Sequence, residues 1–329
     1  MLQRKKVLVT GAGGFIGSHL VESLLEKEAD VRAMVKYNGR GGWGMLKDLP
    51  VESQNKIEVV AGNICDPFFV HSAVKGCDYV FHLAALIGIP YSYVAPADYV
   101  QTNIIGTLNV LEACRSHGVA RIIHTSTSET YGTAQYVPID EKHPLQGQSP
   151  YSASKIAADK MAESYYKSFN LPVVTVRPFN TFGPRQSARA FIPTVISQAL
   201  TKSELSMGSL EPVRDMTFVK DTAEGFITVG LCDKVIGQTV NLGIGKGNTI
   251  GDMVKIILKI LGKENMPLRQ DASRVRPAKS EVMRLISDNT IAREVCGWLP
   301  KYTLEQGLKE TIDWIKQNIN HFMPNIYNV

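Results

Sequence analysis

The sequence predicts an α/β protein with a doubly wound parallel sheet and a smaller mixed α/β lobe towards the C-terminus. In residues 1–178, short and almost continuously apolar segments alternate with segments of helical period. Strands that are buried on both faces give such apolar runs, and the helices between them cover the sheet. Farther along the chain the alternation loosens. We therefore place the sheet domain at 1–178, with returns from about 216–248, and the second lobe at 179–215 and 249–329.

The order of the elements follows from the apolar pattern. Six strands are expected in the segments KKVLVT, DVRAMVKY, KIEVVAGNI, CDYVFHLAAL, ARIIHTSTS and LPVVTVRPFN. Helices are expected between them in FIGSHLVESLLEKE, FFVHSAVKGC, DYVQTNIIGTLNVLEACRSHG and SPYSASKIAADKMAESYYKSFN. Ser149 is a suitable N-cap for the last of these helices, with Pro150 in its first turn, and Gly118 stops the third. Farther on, FIPTVISQAL, GDMVKIILKIL and TLEQGLKETIDWIKQNI have helical patterns, and QTVNLG has that of a strand.

The composition argues against several classes of protein. Lys and Arg outnumber Asp and Glu by 36 to 31, and this net charge of +5 fits an anionic small ligand but not the concentrated basic surface of a nucleic-acid binder. No apolar run approaches the ~20 residues of a membrane span, and the run at the N-terminus is too short for a signal peptide. The five cysteines are scattered without metal-ligand spacing, which favours reduced thiols, no metal site and a cytoplasmic protein.

The first strand leads into a glycine-rich turn, GAGGFIG, which predicts a dinucleotide site. Gly11 permits a tight turn, Gly14 lets a pyrophosphate approach the backbone, and Gly17 allows the following helix to pack closely. The N-terminus of that helix then offers N–H groups and the positive end of its dipole to the anion. The remaining residues expected around the cofactor are Phe15, Ile16, Asn63, Ile64, Leu83, Ala84, Ala85, Thr125, Tyr151, Lys155 and Pro178.

The end of the second strand bears on the choice between NAD and NADP. An acidic residue about 20 positions after the glycines would hold the ribose 2′-hydroxyl of NAD. The sequence has Lys36 and Arg40 in this region and no acid. Because two cations suit a 2′-phosphate, we expect NADP or NAD, with NADP favoured. The alternative is that both side chains are solvated surface cations.

A tyrosine and a lysine stand one helical turn apart in YSASK. The spacing places Tyr151 and Lys155 on one face of the helix. A phenol with its usual pKa of about 10 is a poor base at neutral pH, and a nearby ammonium group favours the phenolate. Thr127, at the end of the fifth strand, would hydrogen-bond the substrate oxygen that is oxidised. Together with the glycine turn, these residues predict a reaction centre for oxidation and reduction.

Five motifs in this order, GAGGFIG, HLAA, STSETYG, YSASK and RPFNTFGPRQ, resemble those of the extended short-chain dehydrogenase/reductase family. This family comprises nucleotide-sugar epimerases, 4,6-dehydratases and decarboxylases, and the resemblance covers essentially the whole chain. It implies a Rossmann domain, a smaller lobe that binds a nucleotide sugar, and a homodimer formed through a four-helix bundle. By position, that bundle would use helices 98–117 and 151–169.

The resemblance also implies roles for residues at matching positions. Thr127, Tyr151 and Lys155 would form the oxidation triad. Four further positions match residues that contact the nucleotide sugar: Asn180, Arg189, Arg214 and Arg276. Of these, Arg276 resembles the arginine that meets the diphosphate, and converging arginines suit bidentate binding of such a group. For any single arginine the alternative is a surface salt bridge.

The residues after Thr127 bear on which reaction follows oxidation at C4 of the sugar. A 4,6-dehydratase needs a carboxylate to remove the C5 proton, and Glu129 resembles that base. Two residues apart on an extended strand, Thr127 and Glu129 would share a face. Ser128 stands where dTDP-glucose 4,6-dehydratases usually have an Asp that protonates the leaving C6 hydroxyl. The acid is therefore Ser128, Glu129 itself or water.

The stretch TSETYGTAQYVPIDEKHPLQGQSPYSASK looks most like bacterial 4,6-dehydratases that act on UDP- or GDP-N-acetylglucosamine in legionaminic-acid-type pathways. The resemblance implies an NAD(P)-dependent hydro-lyase that converts a UDP- or GDP-linked N-acetylhexosamine to its 4-keto-6-deoxy form. The steps are oxidation at C4, loss of water across C5–C6 and return of hydride to C6, with a cofactor that is tightly bound and recycled. The alternatives are a UDP-glucuronate decarboxylase, a nucleotide-sugar C4 epimerase and, outside catalysis, a binding protein that senses NADP.

Overall fold

The structure is a computed structural model, and it describes residues 2–271, 274, 277 and 279–322. Its strands are β1 (Lys6–Thr10), β2 (Asp30–Lys36), β3 (Ile57–Gly62), β4 (Tyr79–His82), β5 (Arg121–Thr125), β6 (Val173–Pro178), β7 (Asn180–Phe182), β8 (Leu205–Met207), β9 (Val213–Phe218), β10 (Thr239–Leu242), β11 (Gly247–Thr249), β12 (Leu268–Gln270) and β13 (Arg284–Leu285). Its α-helices are α1 (Phe15–Glu26), α2 (Val51–Gln54), α3 (Pro67–Val74), α4 (Ile89–Val94), α5 (Pro96–Tyr99), α6 (Gly106–His117), α7 (Pro150–Phe169), α8 (Phe191–Thr201), α9 (Val219–Gly230), α10 (Ile250–Leu261) and α11 (Leu304–Gln317).

Seven parallel strands form the central sheet in the order β10-β6-β5-β4-β1-β2-β3. The chain starts at β1, runs outward to β3, and then crosses back to build the other half of the sheet. In such sheets ligands bind outside the carboxyl ends of the strands, at the point where the order reverses. The predicted α/β fold with a doubly wound parallel sheet is confirmed.

Helices cover both faces of this sheet. α1 and α9 pack together on one face, where Leu20 and Phe226 belong to the same apolar cluster as Val7. α3, α6 and α7 cover the other face, where Val110 lies in one cluster with Leu8. Successive residues of β1 are therefore buried on opposite faces, as expected for a strand between two helical layers.

A second, smaller sheet and three helices are built mainly from the later part of the chain. β9 pairs in parallel with β7 and β13 and antiparallel with β11, while β8 pairs with β12. α8, α10 and α11 bury a further apolar cluster that includes Ile196, Ile257 and Ile312. Between these segments, α9 and β10 return to the central sheet. The domain boundaries given above stay predictions.

The six predicted strands and the helices between them are present. The helix expected at 98–117 is one helical stretch from Pro96 to His117, in which a π-helical segment, Val100–Ile105, joins α5 to α6. β7, β8, β11, β12 and β13 have no recognisable sequence pattern because two or three residues are too few to show a period. In the part of the chain that the structure describes, no helix is long and apolar enough to cross a membrane.

Candidate active site

In the turn between β1 and α1, the glycine positions leave no room for a side chain. Gly11 has a left-handed φ of +70°, and a Cβ there would lie 2.8 Å from the backbone nitrogen of Ala84. A Cβ on Gly17 would lie 2.3 Å from the carbonyl oxygen of Gly11. Gly14 is the N-cap of α1, whose first residue is Phe15. The turn therefore presents bare backbone and a helix N-terminus, which fits the pyrophosphate of a dinucleotide.

The hydroxyl of Thr10 fixes the loop that follows β4. It accepts hydrogen bonds from the backbone N–H groups of Leu83 and Ala84, both at 3.1 Å. It also lies 2.8 Å from Nδ1 of His82, whose Nε2 is 3.0 Å from the hydroxyl of Thr107. Burial holds the pKa of His82 well below its usual range, so the ring is neutral. The loop that carries Leu83 and Ala84 is thus held by His82 of the HLAA motif and by Thr10 and Thr107, which lie outside the quoted motifs.

Lys36 and Arg40 lie at the carboxyl end of β2. This strand pairs with β1, which leads into the glycine turn. Lys36 is the last residue of this strand, Arg40 follows in the loop, and both side chains are exposed. Asn38 shapes the loop, because its Oδ1 accepts the N–H groups of Arg40 at 3.2 Å and of Gly42 at 2.9 Å. Both cations are therefore placed at the expected edge and open to solvent.

The two residues expected at the adenine follow β3 at the same edge of the sheet. Asn63 is exposed, and its Oδ1 accepts the N–H of Cys65 at 3.0 Å. Ile64 is buried against Gly106, where a Cβ would lie 2.8 Å from Cγ2 of Ile64. The other expected cofactor residues lie at the start of α1 or at the ends of β4, β5 and β6: Phe15, Ile16, Leu83, Ala84, Ala85, Thr125 and Pro178.

A capping box sets the start of the helix that carries Tyr151 and Lys155. The N–H of Ser152 donates to Oγ of Ser149 at 3.1 Å, and the N–H of Ser149 donates to Oγ of Ser152 at 3.0 Å. α7 accordingly begins at Pro150, and the predicted N-cap is confirmed. Tyr151 in the first turn and Lys155 one turn later are both buried, with 6% and 4% of their surfaces exposed.

The phenol of Tyr151 lies between an aromatic ring and the polar end of β5. The ring of Tyr99 stands edge-on to it, with the ring centroids 6.2 Å apart. Burial raises the pKa of Tyr151, a hydrogen bond with Thr127 lowers it, and the charge of Glu129 raises it. The structure therefore brings the predicted hydroxyl, carboxylate and phenol together.

Lys155 reaches the last residue of β5. Its Nζ donates to the carbonyl oxygen of Thr125 at 2.6 Å. Burial lowers the pKa of Lys155 to about 8, and the carboxylate of Asp159 partly opposes this shift. The hydroxyl oxygen of Thr125 is buried and has no hydrogen-bond partner among the described residues. A buried polar atom of this kind is suited to meet a bound ligand.

The strand ends earlier than the sequence predicts, and this changes how Glu129 reaches the site. β5 stops at Thr125, and a 3₁₀-helical turn, Ser128–Tyr131, follows. Thr127 caps this turn, with its hydroxyl oxygen accepting the N–H of Glu129 at 3.3 Å. Strand alternation was therefore the wrong reason for the proximity of Thr127 and Glu129. The tight turn brings them together, and it also buries Ser128.

A buried carboxylate behind the tyrosine–lysine pair escaped the sequence motifs. Asp159 lies one turn after Lys155 on α7. It accepts hydrogen bonds from Nη2 of Arg177 and Oγ of Ser126, both at 2.6 Å, and lies 3.1 Å from Nε2 of His124. Burial acts to raise the pKa of Asp159, but Arg177 and His124 outweigh it and hold the pKa well below its usual range. A charged residue on the buried face of a helix was the one sequence signal for it.

Three of the four residues expected at the nucleotide sugar are described. Asn180 begins β7, and its Oδ1 is buried with no partner in the described part of the chain. Arg214 on β9 is buried and forms an ion pair with a glutamate. Arg189 is exposed beside Gly88, where a Cβ would lie 3.1 Å from its Nη1. Arg276 lies outside the described residues.

Comparison with known families explains this arrangement. The family described as GDP-mannose 4,6 dehydratase matches residues 8–311. The chain belongs to this family. A curated relative, dTDP-D-glucose 4,6-dehydratase of Mus musculus, is 30% identical over 324 residues, which are 97% of this chain and 90% of that protein. The resemblance to epimerases and dehydratases that the motifs predict is thereby confirmed.

Solved structures of both dehydratases and epimerases resemble this member of the GDP-mannose 4,6-dehydratase family. DesIV, a dTDP-glucose 4,6-dehydratase from Streptomyces venezuelae with NAD and TYD bound, has a TM-score of 0.88 and 29% identity, covering 97% of this chain and 99% of that one. UDP-N-acetylglucosamine 4-epimerase from Methanobrevibacter ruminantium M1, in complex with UDP-N-acetylmuramic acid, has a TM-score of 0.86 and 29% identity, covering 96% and 99%.

Proposed function

We propose that the protein is a nucleotide-sugar 4,6-dehydratase that converts a UDP- or GDP-linked N-acetylhexosamine to the 4-keto-6-deoxy sugar. The observation that carries the proposal is the carboxylate of Glu129, which lies close enough to Tyr151 for its charge to raise the pKa of the phenol. An epimerase oxidises C4 and reduces it from the other face, and needs no carboxylate there. A dehydratase needs a base for the proton on C5.

The oxidation half-reaction uses the residues that surround Tyr151. A nicotinamide cofactor on the glycine turn supplies hydride transfer. Tyr151 accepts the proton of the C4 hydroxyl. Burial raises the pKa of its phenol, and the positive charge of a neighbouring Lys155 ammonium group would oppose that shift and favour the phenolate. Thr127, which hydrogen-bonds the phenol, holds the reacting oxygen in line. Thr125 and Lys155 would contact the nicotinamide half of a bound cofactor, because the Thr125 hydroxyl is buried without a partner among the described residues and Lys155 lies beside it.

The elimination half-reaction uses the turn after β5. The ketone at C4 acidifies the C5 proton, which Glu129 accepts. The C6 hydroxyl leaves as water, after protonation by Ser128, by Glu129 itself or by a water molecule. C5 would then regain a proton and C6 would receive the hydride that was removed from C4, which gives the 4-keto-6-deoxy sugar and restores the oxidised cofactor. Because O4 ends as a ketone, Tyr151 never returns its proton to the sugar. It must pass that proton on before the next turnover, and the proposed route leads to Thr127, which hydrogen-bonds the phenol, or to Glu129, whose charge acts on it.

The substrate and cofactor follow from the same site. The buried side-chain oxygen of Asn180 has no partner among the described residues and suits the sugar, and we assign Arg189, Arg214 and Arg276 to the diphosphate. The epimerase that binds UDP-N-acetylmuramic acid supports an N-acetylated sugar. Exposed Lys36 and Arg40 support NADP over NAD, although solved relatives contain NAD.

We also propose a homodimer. Pro96–His117 and α7 lie side by side on the sheet. Val100, an apolar residue of the first of these helices, is 46% exposed. These are the two helices that a four-helix bundle with a second copy would use. Size-exclusion chromatography with light scattering measures the mass directly.

Product mass tests the function. The purified protein is incubated with UDP- or GDP-N-acetylglucosamine, each with NAD or NADP, and the product is weighed. Loss of one water is the expected result. Loss of carbon dioxide from UDP-glucuronate would instead identify a decarboxylase, and unchanged mass with altered stereochemistry an epimerase. Cofactor binding without turnover of any nucleotide sugar would leave an NADP-sensing protein and end the proposal.

A further inference from the structure

Two cysteines that are distant in the sequence meet at one edge of the central sheet. Cys232 lies two residues after α9, and Cys296 caps the helical turn Ile291–Val295. The thiol of Cys232 lies 3.8 Å from the carbonyl oxygen of Val295, the residue next to Cys296. Both side chains pack against the same apolar cluster of the sheet, and both are partly exposed. A small oxidant therefore has access to them.

The neighbouring Cys232 thiol also affects the pKa of Cys296. Burial and the neighbouring Cys232 thiol raise the pKa of Cys296 to about 12, with Glu141 adding to the rise and Lys234 opposing it. A thiolate is the nucleophile in disulfide exchange, and the raised pKa of Cys296 disfavours its thiolate, so we assign Cys296 the second step of the exchange.

We propose that Cys232 and Cys296 form a reversible disulfide, a modification site unrelated to the sugar chemistry. With oxidised glutathione as oxidant, the Cys232 thiolate attacks one glutathione sulfur and releases one glutathione thiolate. Cys296 then loses its proton, attacks the Cys232 sulfur and releases the second glutathione. Two protein thiols are oxidised by two electrons, and one glutathione disulfide is reduced to two thiols.

The disulfide would close a long covalent loop that contains one strand of the central sheet and part of the smaller lobe. Residues 233–295 hold β10, β11, α10, β12 and β13. Closing a loop of this length removes many conformations from the unfolded chain, and we expect the melting temperature of the oxidised protein to rise by about 6 °C. In a reducing compartment the pair stays open, and it closes when the thiol–disulfide balance turns oxidising.

Peptide mapping tests the proposal. Cys65 is also partly exposed, so the full-length protein carries Cys65→Ser to remove a competing thiol, leaving Cys77 and Cys114 buried. After oxidised glutathione, the intact mass should fall by two hydrogen atoms, and tryptic peptides 221–234 and 294–301 should run as one species that dithiothreitol separates. Each of these peptides has a single cysteine.

Variants and stability provide the controls. Cys232→Ser and Cys296→Ser should each abolish the linked peptide and the rise in melting temperature. A lasting glutathione adduct on Cys232 beside a free Cys296 would overturn the proposal, as would complete absence of reaction. The product assay, run on the oxidised and reduced protein, reports separately on the proposed activity, so failure of one leaves the other intact.

Discussion

Replacing Asp159 by Asn would test whether the buried network behind Lys155 stabilises the protein. The substitution keeps the size of the side chain but removes its charge. In the wild-type protein the guanidinium of Arg177 lies 2.6 Å from a carboxylate oxygen of Asp159. The substitution leaves this guanidinium buried without a counter-charge. Ser126 and His124 lose their charged acceptor at the same time.

The expected cost follows from burial. Removing one partner of a buried ion pair costs about 3–5 kcal/mol, because the remaining charge stays desolvated. For a chain of this size that corresponds to a fall in melting temperature of about 4–7 °C. The matched control is Asp313→Asn. Asp313 lies 4.0 Å from Lys316, and the two side chains are 54% and 51% exposed, so we expect a loss of at most ~1 kcal/mol.

Urea denaturation of the two variants measures both values, with an unchanged slope as the check that only stability has moved. The pH dependence adds a second test. The folded pKa of Asp159 is depressed, so its contribution is present above the unfolded pKa of about 4 and is lost as the pH falls below it. The gap between wild type and Asp159→Asn should therefore be constant near neutral pH and narrow in acid. Equal losses from the two Asn variants at pH 7 would refute the reasoning.

Three further predictions concern the reaction and its cofactor. Glu129→Gln should abolish product yet still allow C4 oxidation, seen as transient absorbance of the reduced cofactor. The control variant Glu163→Gln, on the outer face of α7, should leave both product formation and C4 oxidation unchanged. Normal dehydration by Glu129→Gln would show that the base lies elsewhere. Lys36→Ala with Arg40→Ala should weaken NADP binding more than NAD binding in calorimetry, and equal losses would remove the argument for NADP. Gly17→Ala should weaken either dinucleotide at least tenfold, because its Cβ would lie 2.3 Å from a carbonyl oxygen, and unaltered affinity would contradict the turn geometry.

The central sheet was predictable because each of its strands has a local signal. Buried parallel strands are long enough to show as apolar runs, and the glycine turn and the capping box at Ser149 mark where helices begin. The smaller lobe lacks such signals. β13, with two residues, exists only because it pairs with β9 from far away in the chain, and pairing of that kind has no local pattern.

The candidate site divides in the same way. Tyr151 and Lys155 share a helical face, which their spacing alone predicts. The approach of Glu129 to Tyr151 depends on β5 ending at Thr125 and turning tightly, and no periodicity marks that end. Asp159 was missed because its role depends on three distant residues: His124 in β5, Ser126 just after it, and Arg177 in β6. Its own surroundings in the sequence look like an ordinary helix.

The hydroxyl of Thr10 has a thermodynamic consequence for cofactor exchange. By holding the N–H groups of Leu83 and Ala84, it fixes a loop before any dinucleotide arrives. Little conformational entropy is then lost when the cofactor binds, so more of the contact energy appears as affinity. A buried hydroxyl with no proposed role in the reaction thereby influences how tightly a dinucleotide binds.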